Sequence, residues 1–144
     1  MVAAQKIADV LGGPASFEKP IRSLRQLNEA VERGLPKSSL RSTVEHVTES
    51  AAERRTLMFS VVPEPTYKRR RELLSPEESE RTERLARVIA TSEHIWDDDA
   101  LSRRFLNAPH AAFAGKSPIK MASSELGARR VEELLGQILH GLPG

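Results

Sequence analysis

Ser75, Pro76, Glu77 and Glu78 form the strongest helix start in the chain. A serine hydroxyl accepts from an unbonded backbone N–H of the first turn. Proline suits the first helical position, where its missing N–H costs nothing, and a glutamate three residues after the serine reaches back to the cap. Leu85, Val88, Ile89, Ser92, Ile95 and Trp96 then mark one face at helical spacing, so a long helix is predicted up to Trp96. The same punctuation recurs along the whole chain, and no alternating run argues for a strand. An all-α fold follows.

Around that helix the reading is a series of shorter ones. Val2 to Leu11 places Ile7, Val10 and Leu11 on one side and closes at Gly12 and Gly13, and GGPASFEKP is then a loop. Ser23 to Arg33 and Ser38 to Val47 make a helical hairpin around Gly34, Leu35 and Pro36. Ser50 with Glu53 has capping-box spacing ahead of a helix from Ala51 to about Ser60. Pro63 and Pro65 stop it, and Pro65 opens a basic helix from Thr66 to Leu74. Beyond Trp96, Asp97 to Asp99 cap a helix carrying Leu101, Phe105 and Leu106. Asn107, Pro109 and His110 end that helix, Ser117 and Pro118 start a short one through Met121, and an amphipathic helix closes the chain.

Composition excludes more than it assigns. A chain of 144 residues, 39% hydrophobic, holds one ordinary domain or two small helical units and not a large enzyme. The absence of cysteine removes disulfides, thiol nucleophiles and thiolate-ligated metals. No run of eighteen apolar residues and no signal-like start at Met1 to Leu11 leave a soluble cytoplasmic protein as the expectation, with no membrane association. His46, His94, His110 and His140 are scattered without metal spacing, the three aspartates read as a helix cap, and no catalytic triad, P-loop or dinucleotide glycine pattern occurs. Neither an enzyme nor a cofactor is expected.

A net charge of +2 is too small to name a partner, so the distribution of charge matters more. Lys68, Arg69, Arg70 and Arg71 are consecutive. In Ala51 to Leu74 they follow a helix and a turn, the order a helix-turn-helix uses to bring the start of its second helix to base edges. Thr66 and Lys68 with nearby backbone N–H groups suit a phosphate or base, and the three arginines suit guanine or phosphates. Tyr67 is read equally as a DNA contact and as the lid of a small core. The competing reading of the whole stretch is a solvated cationic run paired with Glu64, Glu72 and the acids that come after. DNA binding is the favoured reading, although three adjacent helical arginines cannot all face one groove.

The last twenty residues, ELGARRVEELLGQILHGLPG, form a helix with an apolar stripe at Ala128, Val131, Leu134, Leu135, Ile138 and Leu139, capped by Gly141. With Leu106 to His110, Gly115 to Pro118 and Gly127 to Glu133 before it, the chain from about Leu74 to Gly144 resembles the Xre/MbcA/ParS antitoxin family, in particular antitoxins paired with RES-domain toxins. The resemblance implies that Gly141, Leu142, Pro143 and Gly144 block the NAD-binding cleft of the toxin. A cleft for dinucleotide phosphates holds cations, to which the Gly144 carboxylate offers a charge while Leu142 fills an apolar slot. Pro143 reduces the entropy lost on ordering.

The combined expectation is an N-terminal region, residues 1–74, with an Xre-like helix-turn-helix at about 51–74, and a toxin-binding domain, residues 75–144, with an exposed tail. The protein would neutralise a cognate RES-domain, NAD-consuming toxin and bind operator DNA as a homodimer to repress its operon. The alternative is a stand-alone transcription regulator whose C-terminal helices only dimerise.

Overall fold

The computed structural model describes residues 2–141. Among these residues there are nine α-helices, two 3-10 turns and no strand. The helices are α1 Ala4–Val10, α2 Leu24–Arg33, α3 Lys37–Glu45, α4 Ala51–Val61 and α5 Glu64–Arg69, followed by α6 Pro76–Trp96, α7 Asp99–Asn107, α8 Pro118–Met121 and α9 Glu125–His140. The 3-10 turns are Gly13–Ala15, inside the segment read as a loop, and Ala111–Phe113.

The long helix is the axle of the fold. A helix covered on one side buries a stripe, but α6 buries the consecutive residues Val88, Ile89 and Ala90 together with Leu85 and Ala86. Helices α1 to α4 cover part of it, and α7 and α9 cover another part. Each fully buried aliphatic side chain contributes roughly 1.5–3 kcal/mol, so this one helix holds both ends of the chain on a single core.

Among the described residues, the hydroxyls buried along α6 are hydrogen-bonded, as burial requires, while the buried Trp96 indole N–H at its end has no partner. Ser79 Oγ accepts the Leu35 N–H at 2.7 Å, Thr82 Oγ1 donates to the Glu78 carbonyl at 2.8 Å, and Ser92 and Ser102 share a hydrogen bond of 2.8 Å. The start of α6 is the capping box that its sequence specifies, with Ser75 accepting from the Glu78 N–H and the Glu78 carboxylate accepting from the Ser75 N–H. At α4 only half of the predicted box forms. Ser50 accepts from the Glu53 N–H, while the Glu53 carboxylate takes the Glu49 N–H, one residue earlier than a box requires.

Two glycines are imposed by the fold rather than by local turns. Gly34 has φ 104°, and a Cβ there would lie 2.4 Å from the Leu74 carbonyl oxygen. Gly127 sits in the first turn of α9, where a Cβ would meet the Met121 carbonyl, so α8 and α9 approach through it.

Candidate functional site

The basic segment is shorter as a helix than its sequence implies. Helix α5 stops at Arg69 instead of running to Leu74, and Arg70 is extended with ψ 136°. The reason is long-range pairing: Lys37 N–H donates to the Glu72 carbonyl at 2.9 Å and Leu74 N–H donates to the Leu35 carbonyl at 2.8 Å. Backbone groups used in that way cannot continue a helix. Residues 70–74 instead run past the turn before α3, with a bridge between Pro36 and Leu73.

This geometry separates the six residues of the predicted DNA site. Arg70 is engaged by Glu78 through two hydrogen bonds of 2.9 and 2.8 Å. Its guanidinium, with the Ser75 N–H, holds the Glu78 carboxyl down to about 2, and the same bond holds Arg70 above its ordinary value. Tyr67 is partly buried, edge-on to Phe59 at 6.0 Å, with the Lys37 ammonium 4.4 Å from its ring centre. Burial pushes its hydroxyl pKa up, opposed by the Arg41 charge. Thr66 is partly buried and accepts a long hydrogen bond of 3.4 Å from Arg69. Lys68 pairs with Glu64 at 3.4 Å across the solvent-exposed side of α5, a contact worth little. Arg69 and Arg71 are exposed and have no ion-pair partner among the described residues.

The structure brings a second element beside this stretch. Helices α2 and α3 are joined by Gly34, Leu35 and Pro36, but they do not form the packed hairpin expected from sequence, and each lies on α1 and α6. Helix α3 is pinned at both ends. At its start the Lys37 ammonium donates to the Arg70 carbonyl at 3.0 Å. At its end His46 Nδ1 meets the buried Glu93 carboxylate at 2.7 Å, and Asn107 donates to the Val47 carbonyl at 2.9 Å. Along α3, Ser39, Leu40, Thr43 and Val44 are buried while Ser38, Arg41, Ser42 and Glu45 recur at the spacing of one helix face.

At the other end, α9 buries Val131, Leu134 and Leu135 and partly buries Ile138 against α6 and α8. A rim of charge flanks the contact. Arg87 meets Glu132 at 2.7 Å and Glu83 and Glu125 at 3.2 Å, and Arg84 meets Glu125 at 3.2 Å. Burial pushes the Glu83 carboxyl up. Burial also works against the Arg87 charge and the Glu125 charge, but their opposite neighbours win, so Arg87 is raised and Glu125 lowered. The helix ends at Gly141, exposed with φ 66° in a left-handed cap. Of the predicted toxin-contact residues, Leu142, Pro143 and Gly144 lie outside the described residues.

The Asn-x-Pro-His run has a structural role. Asn107 bonds the Arg103 carbonyl at 2.8 Å as well as Val47, and His110 Nδ1 accepts the Ala112 N–H at 3.0 Å, which starts the 3-10 turn. Asp98 likewise caps α7 by accepting from Leu101 at 2.8 Å. Among the described residues no group of three or more His, Asp or Glu is arranged to hold a metal, and no helix is long and apolar enough to cross a membrane.

Comparison with known proteins divides the chain in two. Residues 26–87 match the model of the antitoxin Xre-like helix-turn-helix domain, and residues 92–141 match that of the antitoxin Xre/MbcA/ParS C-terminal toxin-binding domain. Antitoxin Xre of Pseudomonas putida is 33% identical over 84 residues, which cover 56% of this chain and 53% of that protein. The chain therefore spans about half the length of this curated relative. The first model takes in the turn at Gly34 and the cationic stretch, and the second takes in α7, α8 and α9 up to Gly141. With a helix-turn-helix region ahead of a toxin-binding domain on one all-helical core, the chain belongs to the Xre/MbcA/ParS antitoxin family.

Proposed function

We propose that the protein neutralises a RES-domain, NAD-consuming toxin by placing its carboxy-terminal residues, Gly141 to Gly144, in the toxin active site. We further propose that it binds operator DNA as a homodimer and so represses its own operon. In this reading residues 1–74 serve DNA and residues 75–144 serve the toxin, with no catalysis of their own. The observation that carries it is the seating of α9. Of its apolar stripe, Val131, Leu134 and Leu135 are buried on α6 and α8 and Ile138 partly so, while Leu139, expected on the same stripe, is exposed with His140 and Gly141 at the end of the helix, and its rim is held by Arg84 and Arg87. A helix anchored up to its last turn delivers the residues attached to its end to a partner at little entropic cost.

Dimerisation is expected from the size of the DNA element, because paired half-sites supply specificity that one short helix rarely does. The direct test is NAD consumption by a RES-domain toxin titrated with the full chain and with a chain ending at Gly141. The full chain is expected to halt NAD loss near equimolar ratio, and the shortened chain to lose protection while keeping its helical content. Equal protection by both would rule out occlusion by the tail. No binding by either would favour a stand-alone transcription regulator.

A further inference from the structure

We infer that the toxin-binding half of the chain sets the connection from α3 into α4, which makes Asn107 and Glu93 positioning residues for DNA binding. The inference rests on the proposed DNA-binding function and adds to it side chains that lie outside the helix-turn-helix match. Three observations carry it.

The first is how little holds the start of α4. Met58 is the one fully buried residue of this helix, and Ala51, Ala52 and Glu53 in its first turn are exposed. Its far end is fixed by burial of Met58 and of Val62, which has no exposed surface. The placement of its near end therefore depends on residues 46–50, which lead into it.

The second is what those residues bind. His46 Nδ1 meets the Glu93 carboxylate at 2.7 Å, Asn107 Nδ2 donates to the Val47 carbonyl at 2.9 Å, and Arg103 Nε donates to the Glu49 carboxylate at 3.3 Å. Burial of the Val47 side chain fixes where the chain passes. The Asn107 bond fixes how the peptide plane after Val47 is turned, and with it the direction in which the chain enters α4. By contrast the Thr48 and Ser50 hydroxyls bond locally, to the Val44 carbonyl and the Glu53 N–H.

The third is where the partners come from. Glu93, Arg103 and Asn107 lie beyond residue 87, where the helix-turn-helix match ends, and inside residues 92–141, which match the toxin-binding domain. The three ties differ in weight. Glu93 is buried and also meets the Lys6 ammonium of α1 at 3.7 Å, so His46 is drawn to a carboxylate that is itself held. Asn107 donates as well to the Arg103 carbonyl at 2.8 Å, which fixes its side chain at the end of α7. The Arg103 to Glu49 pair is exposed on the glutamate side and contributes little. Helix α4 continues through Val62 and Pro63 into α5 and the exposed Arg69 and Arg71, so a change in its entry misaligns it with the cations at the other end of the same unit. A binding element is only as well placed as its support.

The test combines hydrogen exchange with binding to a duplex that the wild type enriches from a randomised library, for the full chain and for Asn107→Ala, Glu93→Gln and Glu93→Ala. In Asn107→Ala the amides of Arg54 to Leu57 should exchange several-fold faster, with those of α2 unchanged. Its affinity for the duplex should fall roughly three- to ten-fold, the weight of one hydrogen bond, at an unchanged salt slope because no phosphate contact is lost. Glu93→Gln, which still accepts from His46, should bind as the wild type does, and Glu93→Ala should bind about ten-fold more weakly. Combining Asn107→Ala with Glu93→Ala should cost less than the product of the single losses, since both act on one connection. If Glu93→Ala does not fold, Asn107→Ala decides the matter. Unchanged exchange in Asn107→Ala, or faster exchange at wild-type affinity, would overturn the inference. A loss of affinity with a reduced salt slope would also overturn it, by showing a direct DNA contact. Enrichment of no duplex by the wild type would overturn the DNA-binding reading itself, and the inference with it.

Discussion

Helices α5 and α9 are held to the same body by opposite means. Helix α9 is sixteen residues long and fixed by burial of Val131, Leu134 and Leu135, with ion pairs only at its rim. Helix α5 is six residues long and has no fully buried residue; besides the edge contact of Tyr67 with Phe59, the segment is fixed by polar ties just past its end: Lys37 to Arg70, Arg70 to Glu78, and the backbone pairing of residues 35–37 with 72–74. The difference fits the tasks proposed for them, in which apolar anchoring leaves the end of α9 for a protein partner, while polar anchoring consumes one cation and leaves Arg69 and Arg71 for a polyanion. Charge is divided in the same way: thirteen of the 22 lysines and arginines but only nine of the 20 acids precede Ser75.

The largest expected effect comes from breaking the apolar side. Leu135→Ala removes a side chain with no exposed surface and should cost about 3 kcal/mol, read as a lower midpoint of urea unfolding with unchanged slope. A cost below about 1 kcal/mol would mean that α9 is not seated as described.

The polar side should give a smaller effect with a pH signature. Glu78 has its folded pKa lowered to about 2 by Arg70, so the bond stabilises the fold at any pH well above the ordinary carboxylate value. That stability is lost as pH falls from about 5 toward 2. Glu78→Gln should therefore cost about 2 kcal/mol at neutral pH, with allowance for the partly exposed guanidinium, and nearly nothing at pH 2. An unchanged gap between variant and wild type across that range would show that the ion pair does not anchor the segment.

How far the sequence discloses this molecule depends on the range of the interactions involved. The bounds of α6 and α9 are legible because local forces set them: a serine cap, a proline at the first turn, a 3.6-residue stripe and a terminal glycine. The end of α5 is not, because Leu35 and Lys37 take the hydrogen bonds of Leu74 and Glu72 from more than thirty residues away. Nor is the engagement of Arg70, whose partner Glu78 lies eight residues on.

The smallest effect on stability and the most direct test of two separable surfaces coincide in Arg69→Ala with Arg71→Ala. Both side chains are exposed, so folding should change by less than about 0.5 kcal/mol. The measurement is to assay this variant twice: for binding to a duplex selected by the wild type across a salt series, and for inhibition of NAD consumption by the RES-domain toxin. The account predicts weaker DNA binding, a salt slope reduced by about 2, and full inhibition of the toxin. Wild-type DNA binding, or DNA binding and toxin inhibition lost together, would contradict it.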